Sequence, residues 1–225
     1  MCARYSLHQS NALIADLFDL QWEPELQPRY NIAPTTQVPA VIEKDGKREL
    51  DFFKWGLVPS WAKDPSVGVK MINARSETAS EKPSFRSAFK HRRCLIVADG
   101  FFEWHTENGK KQPYYLSMKD GKPFAFAGLW ETWRPEDDHD QELRTCTILT
   151  CGPNTLLKPI HDRMPVILPP ESYDTWLDPE FDQIDALNAL MVPFDAATMQ
   201  MYPVTTKVGN PRYDSAENVV PVKSS

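Results

Sequence analysis

A sheet-dominated α+β fold is the class this sequence predicts, and three observations predict it. Twenty prolines against nine glycines break the chain often and oppose long helices. The pairs Asp45-Gly46, Asp99-Gly100, Asn108-Gly109 and Asp120-Gly121 are turn signals between apolar runs. The runs between them are short, and either alternate or stay apolar throughout, as half-buried and fully buried strands do.

The elements follow in order. Residues 2–6 read as a strand that would hold the start of the chain in the sheet. Over 8–20, Leu13, Ile14, Leu17, Phe18 and Leu20 recur at helical spacing, with Ser10 as N-cap. Residues 38–43 and 50–55 are strands joined across Asp45-Gly46, and 56–69, with Pro59, Trp61 and Pro65, is a loop. A helical turn starts at 76–79, and a short basic helix follows Pro83 over 84–90. Residues 94–98 are almost wholly apolar, hence a buried strand. Asp99-Gly100 turns that strand into 101–104, Asn108-Gly109 leads into 114–118, and Asp120-Gly121 into 123–130. This is an antiparallel β-meander, expected to build a sandwich or barrel-like core. Beyond an acidic loop at 131–142 come strands at 143–151 and 165–168, short helices at 172–177 and 181–191, and a last strand at 199–204. Ile184, Leu187, Leu190 and Met191 form an apolar stripe suited to core packing. From about residue 207 the tail is polar. No repeat or composition break divides the chain, so one domain over 1–225 is expected.

A chain of 225 residues, 41% hydrophobic and 25% charged, has the make-up of an ordinary globule with a substantial core. The net charge of −6 carries no global signature of nucleic-acid binding, so such contact would need a local basic patch. Acidic residues gather at Glu136, Asp137, Asp138, Asp140 and Glu142; basic ones at Lys82, Arg86, Lys90, Arg92 and Arg93. The first ten residues lack the apolar stretch of a signal peptide, and no run is long enough to span a membrane. Cys2, Cys94, Cys146 and Cys151 form no C-x-x-C pair, and His91 with Cys94 has no second ligand pair at zinc spacing. No metal and no cofactor are expected, and free thiols fit a reducing cytoplasm.

Cys2 directly follows Met1. Because Cys is small, Met1 is removable, and removal leaves a 1,2-aminothiol. Its thiolate is a strong nucleophile, and its amine titrates near 7.7–8.0. Together they attack acyl carbons or condense with aldehydes to a thiazolidine; the alternative is a small buried hydrophobe. Four islands accompany it: Arg29-Tyr30-Asn31-Ile32-Ala33-Pro34, a polar and aromatic loop; Ile72-Asn73-Ala74-Arg75-Ser76-Glu77-Thr78; Ala98-Asp99-Gly100-Phe101-Phe102-Glu103-Trp104; and Ile160-His161-Asp162-Arg163-Met164-Pro165. Each sets an ionisable or amide side chain at the edge of apolar sequence. Each also has a plainer reading: Asn73 as a turn or cap residue, Glu103 as the solvent face of a strand, His161 as part of a salt-linked loop.

Met1-Cys2-Ala3-Arg4, the four islands, and Trp55-Gly56-Leu57 with Pro59 and Trp61 stand in an order that resembles the SOS response-associated peptidase family over residues 1 to about 206. The resemblance implies that family's fold and an abasic-site processing protein acting in DNA repair. Its partner would be single-stranded DNA carrying an abasic site, with single-strand/double-strand junctions as a further target. Cys2 would form a Schiff base with the sugar aldehyde, and its thiol would close the ring. The resemblance implies that Asn73 positions the reacting terminus, Glu103 orients the amine and shuttles protons, and His161 serves ring opening and crosslink reversal. It makes Arg4, Asn31, Pro34, Trp61, Arg75 and Arg86 the DNA contacts, the stretch 86–93 extending the phosphate track. It fits a monomer in the cytoplasm, associated with the nucleoid. Two positions depart from the family pattern. Ala3 replaces a usual Gly, and Ala62 follows Trp61 where family members can carry a second Trp. Two other readings stay open: an N-terminal-nucleophile peptidase or hydrolase, with autolytic loss of Met1 or lyase activity, and a non-covalent binder of modified DNA.

Overall fold

The computed structural model describes residues 2–107, 109–137 and 140–222. Met1, Asn108 and Asp138, on which parts of the sequence reading fall, lie outside the described residues.

The larger of two sheets closes on itself. β3 (Gln37–Lys44) pairs with β4 (Lys47–Trp55) and β6 (Arg93–Ala98); β6 pairs with β9 (Phe124–Trp133), β9 with β10 (Leu143–Cys151), and β10 returns to β4. Only the β10–β4 pair in this ring is parallel. Closure leaves a barrel without open edges along the ring. All six residues of β6 are buried, as they must be in a strand covered on both faces. Three short strands extend the sheet: β5 (Asn73–Arg75) beside β10, β11 (Met164–Pro165) on β10, and β12 (Ile167–Leu168) on β9.

The second sheet runs β13 (Met199–Pro203), β8 (Lys110–Met118), β7 (Gly100–Glu107), β1 (Tyr5–Leu7), β2 (Arg29–Ile32). Edge-on ring contacts of Tyr5 and Phe101 with Phe126 join it to the barrel. The helices are short: α1 (Asn11–Leu17), α2 (Ser76–Ala79), α3 (Arg86–His91), α4 (Tyr173–Leu177) and α5 (Ile184–Leu190). Ser10 caps α1 by accepting from the Leu13 N–H, as its side-chain chemistry predicts. No helix among the described residues is long and apolar enough to cross a membrane.

The sheet-dominated α+β class and the barrel stand as expected, but strands read as one meander are divided between two sheets. Asp45-Gly46 is a true hairpin turn, both residues at positive φ (53° and 73°), between Lys44 and Lys47. Gly109 turns β7 into β8. The other two pairs carry the chain from one sheet to the other. At Asp99 the main-chain N–H donates to the Ser6 carbonyl (3.0 Å), and the carboxylate accepts from Ser6 Oγ (2.5 Å) and from the His8 and Gln9 N–H groups. That anchor is on β1, ninety-odd positions away in sequence, and no local signal announces it.

Three further segments differ from their sequence reading for the same reason. Residues 29–32, expected as loop, form β2 because β1 offers a partner. Asn73 lies in β5, held parallel to β10, rather than in a turn. The tail, polar by composition, packs closely: turns at Thr206–Gly209 and Ala216–Val219 bury Val208 and Asn218 completely.

Candidate active site

Three segments from distant parts of the chain converge on Cys2, which is fully buried just ahead of β1. Asn73 Nδ2, at the start of β5, donates to the Cys2 carbonyl at 2.7 Å. Its Oδ1 is buried and has no hydrogen-bond partner among the described residues. Glu103, midway along β7 and only 3% exposed, is close enough that its charge opposes ionisation of the Cys2 thiol. His161 Nε2 stands 3.9 Å from Glu103 Oε2. The structure thus brings together Cys2, Asn73, Glu103 and His161. None of the four lines the apolar cavity of about 470 Å³ near Leu17, Phe124 and Tyr173.

Burial sets the electrostatics. It pushes the Cys2 thiol upward, with Glu103 adding to the effect, so the sulfur stays protonated near neutral pH. Burial raises Glu103 from an ordinary 4.5 to about 7, although the positive charge of the amino terminus acts against the rise. His161 is moved the other way, chiefly by burial and then by that same positive charge. With the carboxyl raised to about 7 and the imidazole lowered, the 3.9 Å contact near pH 7 joins a half-ionised carboxyl and a mostly neutral ring. The two groups are titratable neighbours whose environments shift them in opposite directions. Among the described residues no group of three or more His, Cys, Asp or Glu side chains is arranged to hold a metal ion.

The six expected DNA contacts fall into two sets. Trp61 (64% exposed), Arg75 and Arg86 reach solvent. Trp61 rides on the loop after β4, which two glycines make feasible. A Cβ on Gly56, at φ 134°, would lie 2.6 Å from the Gly68 carbonyl oxygen, and one on Gly68 would lie 2.5 Å from that of Gly56. Trp133 Nε1 donates to the Ala62 carbonyl (2.6 Å) and fixes the loop from below. Ala62 itself is buried, so the second Trp of relatives has no exposed counterpart here.

Arg4 and Asn31 are committed inside the protein. Arg4 Nη1 donates to Asn31 Oδ1 (2.9 Å) and the Val208 carbonyl (3.1 Å). The Asn31 amide donates to the carbonyls of Val208, Asn210 and Tyr213. Together they clamp the C-terminal segment to β2, and the Asn31 side chain is buried. Pro34 is half-buried beside Thr35, a β-branched residue held at φ 69°. Ala3 does not have a positive φ, so its Cβ introduces no left-handed strain.

The basic stretch 86–93 is not a continuous surface track. Arg93 is buried, and its guanidinium donates to five carbonyls, those of Phe89, Lys90, Trp176, Asp178 and Phe181. Five donors in a planar fork suit that task. Arg92 pairs with Glu131 at 2.8 Å. Arg86 and Lys90 remain on the exposed face of α3.

Sequence reasoning missed Asp99, Thr35 and the pairing of Glu77 with Arg163. Glu77 and Arg163 stood inside the Asn73 and His161 islands, but nothing local shows that they meet.

A family model described as SOS response associated peptidase (SRAP) matches residues 1–211. The abasic site processing protein YoaM of Bacillus subtilis (strain 168) is 44% identical over 221 residues, covering 96% of each chain. The abasic site processing protein YedK of Escherichia coli (strain K12) is 35% identical over 229 residues, covering 99% of this chain and 100% of that one. A crystal structure of a Bacteroides thetaiotaomicron protein superposes with a TM-score of 0.87 at 28% identity, over 99% of this chain and 100% of that one.

Proposed function

The chain belongs to the SOS response-associated peptidase family, and on that premise we propose that it processes abasic sites in single-stranded DNA by a covalent link through Cys2. The observation that carries this reading is the convergence on Cys2 of Asn73 at 2.7 Å and of the Glu103–His161 pair.

Loss of Met1 frees the Cys2 amine. An abasic deoxyribose opens to an aldehyde at C1′. The neutral amine attacks that carbon, and the carbonyl oxygen becomes a hydroxyl. Glu103, near its midpoint at pH 7, protonates the hydroxyl; water leaves, and the iminium N–H proton returns to the Glu103 carboxylate as the C=N imine forms. The Cys2 S–H then adds across C=N. A carbon–sulfur bond forms, the π pair moves to nitrogen, and the thiol proton ends there. One water is lost, and no oxidant or reductant is needed.

Burial keeps the thiol protonated until the imine exists, which supports an order of amine first and sulfur second. Asn73 fixes the Cys2 main chain, and its Oδ1 is an acceptor for the freed amine or a sugar hydroxyl. His161 serves sugar ring opening and crosslink reversal as a general acid–base group, its imidazole kept below its usual range. Arg75 and Arg86 would hold phosphates, and Trp61 would stack on an unpaired base, a contact worth about 1–3 kcal/mol. Hydrolysis of a peptide by Cys2 would need a thiolate, which burial opposes.

The test is a denaturing gel after incubation with single-stranded DNA bearing one abasic site. A heat-stable shifted band is expected, and it should vanish with Cys2→Ala and with a blocked amino terminus. Absence of a shift, with binding of intact DNA retained, overturns the covalent reading. A mass spectrum showing Met1 retained also does so, because the Cys2 nitrogen would then be an amide. His161→Ala should slow crosslink reversal more than it weakens DNA affinity, and Arg75→Ala should do the reverse.

A further inference from the structure

His161 has two candidate partners at one nitrogen. The Arg163 main-chain N–H donates to Nδ1 at 2.9 Å, and Asp162 Oδ1 lies 3.1 Å from the same atom. The two ask opposite things of Nδ1: the N–H needs a lone pair there, the carboxylate a proton. The Asp162 side chain is 90% exposed and screened by water, whereas the N–H is fixed in the backbone. The N–H therefore decides the ring's state, provided that residue 163 stays in place.

The Arg163 side chain keeps it there. Nη1 and Nη2 meet the two Glu77 carboxylate oxygens at 2.5 and 2.9 Å, a bidentate pair. Nη2 also donates to the carbonyl and hydroxyl of Thr150 in β10. Thr150 lies between the two functional segments, pairing with Arg75 of β5 on one side and Pro165 of β11 on the other. Its hydroxyl donates to the Ala74 carbonyl at 3.3 Å. Glu77 sits on α2, directly after the strand that carries Asn73. One ion pair thus locks the His161 loop to the strand that grips Cys2.

We propose that Arg163, through Glu77 and Thr150, is a positioning residue that holds His161 as a single tautomer, with Nδ1 accepting from the backbone and the proton on Nε2 toward Glu103. Among the described residues, Glu103 and Asp162 are titratable groups beside the ring. The catalytic consequence rests on the role proposed above for His161, whereas the tautomer itself does not.

Nitrogen-15 NMR of the labelled imidazoles reads the tautomer directly, with His161→Ala assigning the signal among the five histidines. Above pH 7 the parent protein should show Nε2 protonated and Nδ1 bare. Arg163→Met should give a mixture of tautomers, Glu77→Gln a smaller change in the same direction, and Arg163→Lys an intermediate one. Reversal of the DNA crosslink should slow by roughly 100-fold in Arg163→Met, the effect of an ångström-scale misplacement. If Arg163→Met does not fold, Glu77→Gln and Arg163→Lys carry the same reading. An unchanged tautomer in the folded variants overturns the proposal. A changed tautomer with unchanged reversal supports the positioning role and overturns instead the function assigned to His161.

Discussion

Two buried carboxylates stand four residues apart around the start of β7, and they do opposite work. Asp99 accepts from Ser6 Oγ and from the His8 and Gln9 N–H groups, and His8 Nδ1 lies 3.0 Å from it. Its negative charge is surrounded by donors, and it ties β1 to the turn between the sheets. Glu103 is equally buried but faces the Cys2 thiol and a histidine held neutral, and its carboxyl is raised to about 7. The carboxyl just before β7 is thus an anchor held by β1, while the one within β7, raised chiefly by burial, is suited to carry a proton.

Substitutions at the two positions should therefore dissociate stability from chemistry. The largest effect expected is on rate: Glu103→Gln should slow crosslink formation by about 10²–10⁴-fold, the usual contribution of a general acid or base. Single-turnover gels measure it, and a loss below tenfold would place proton transfer elsewhere. Next, Asp99→Asn should destabilise the fold by about 3 kcal/mol, because the amide cannot replace a charged acceptor of several donors. In denaturant titrations its midpoint should fall, while crosslinking by the folded fraction keeps its pH profile.

The third effect is a pH dependence with a definite sign. Glu103 has a higher pKa folded (about 7) than the ordinary 4.5, so the folded state binds more protons between those values. Stability should fall as pH rises from 4.5 to 7, by on the order of 3 kcal/mol at 1.36 kcal/mol per unit. Glu103→Gln should flatten that fall and be the more stable protein above pH 7. A parent protein that gains stability across this window would contradict the environment assigned to Glu103. The smallest effect concerns Thr35, whose φ of 69° disfavours a β-branched residue. Thr35→Asn should raise stability by about 1 kcal/mol, measured by thermal melting.

What could be read in advance divides along the same line as Asp99 and Glu103. Asp45-Gly46, the Ser10 cap and the buried run of β6 were legible, because each depends on neighbours within a few positions. Asp99-Gly100 looked like a hairpin turn, yet its carboxylate is captured by β1 and the chain leaves the sheet. Arg93 looked like one more surface cation beside Arg86, yet it closes two carbonyls of α3 and three of the remote segment 176–181. Asn31 stood in a segment read as loop, yet it lies in β2 and its amide holds the C-terminal segment. In each case the side chain's chemistry was read correctly and its partner was not, because the partner is remote in sequence.

By itself, then, the sequence determined which groups are available: a removable Met1 before a cysteine, an amide, a carboxyl and an imidazole in four islands, and turns set by short-range backbone chemistry. Only the tertiary structure decided what those groups are. It closed the barrel, brought Asn73 within 2.7 Å of Cys2, and removed water from Glu103 and the thiol. Turn geometry depends on adjacent dihedral angles, but desolvation and pairing depend on what the rest of the chain places nearby.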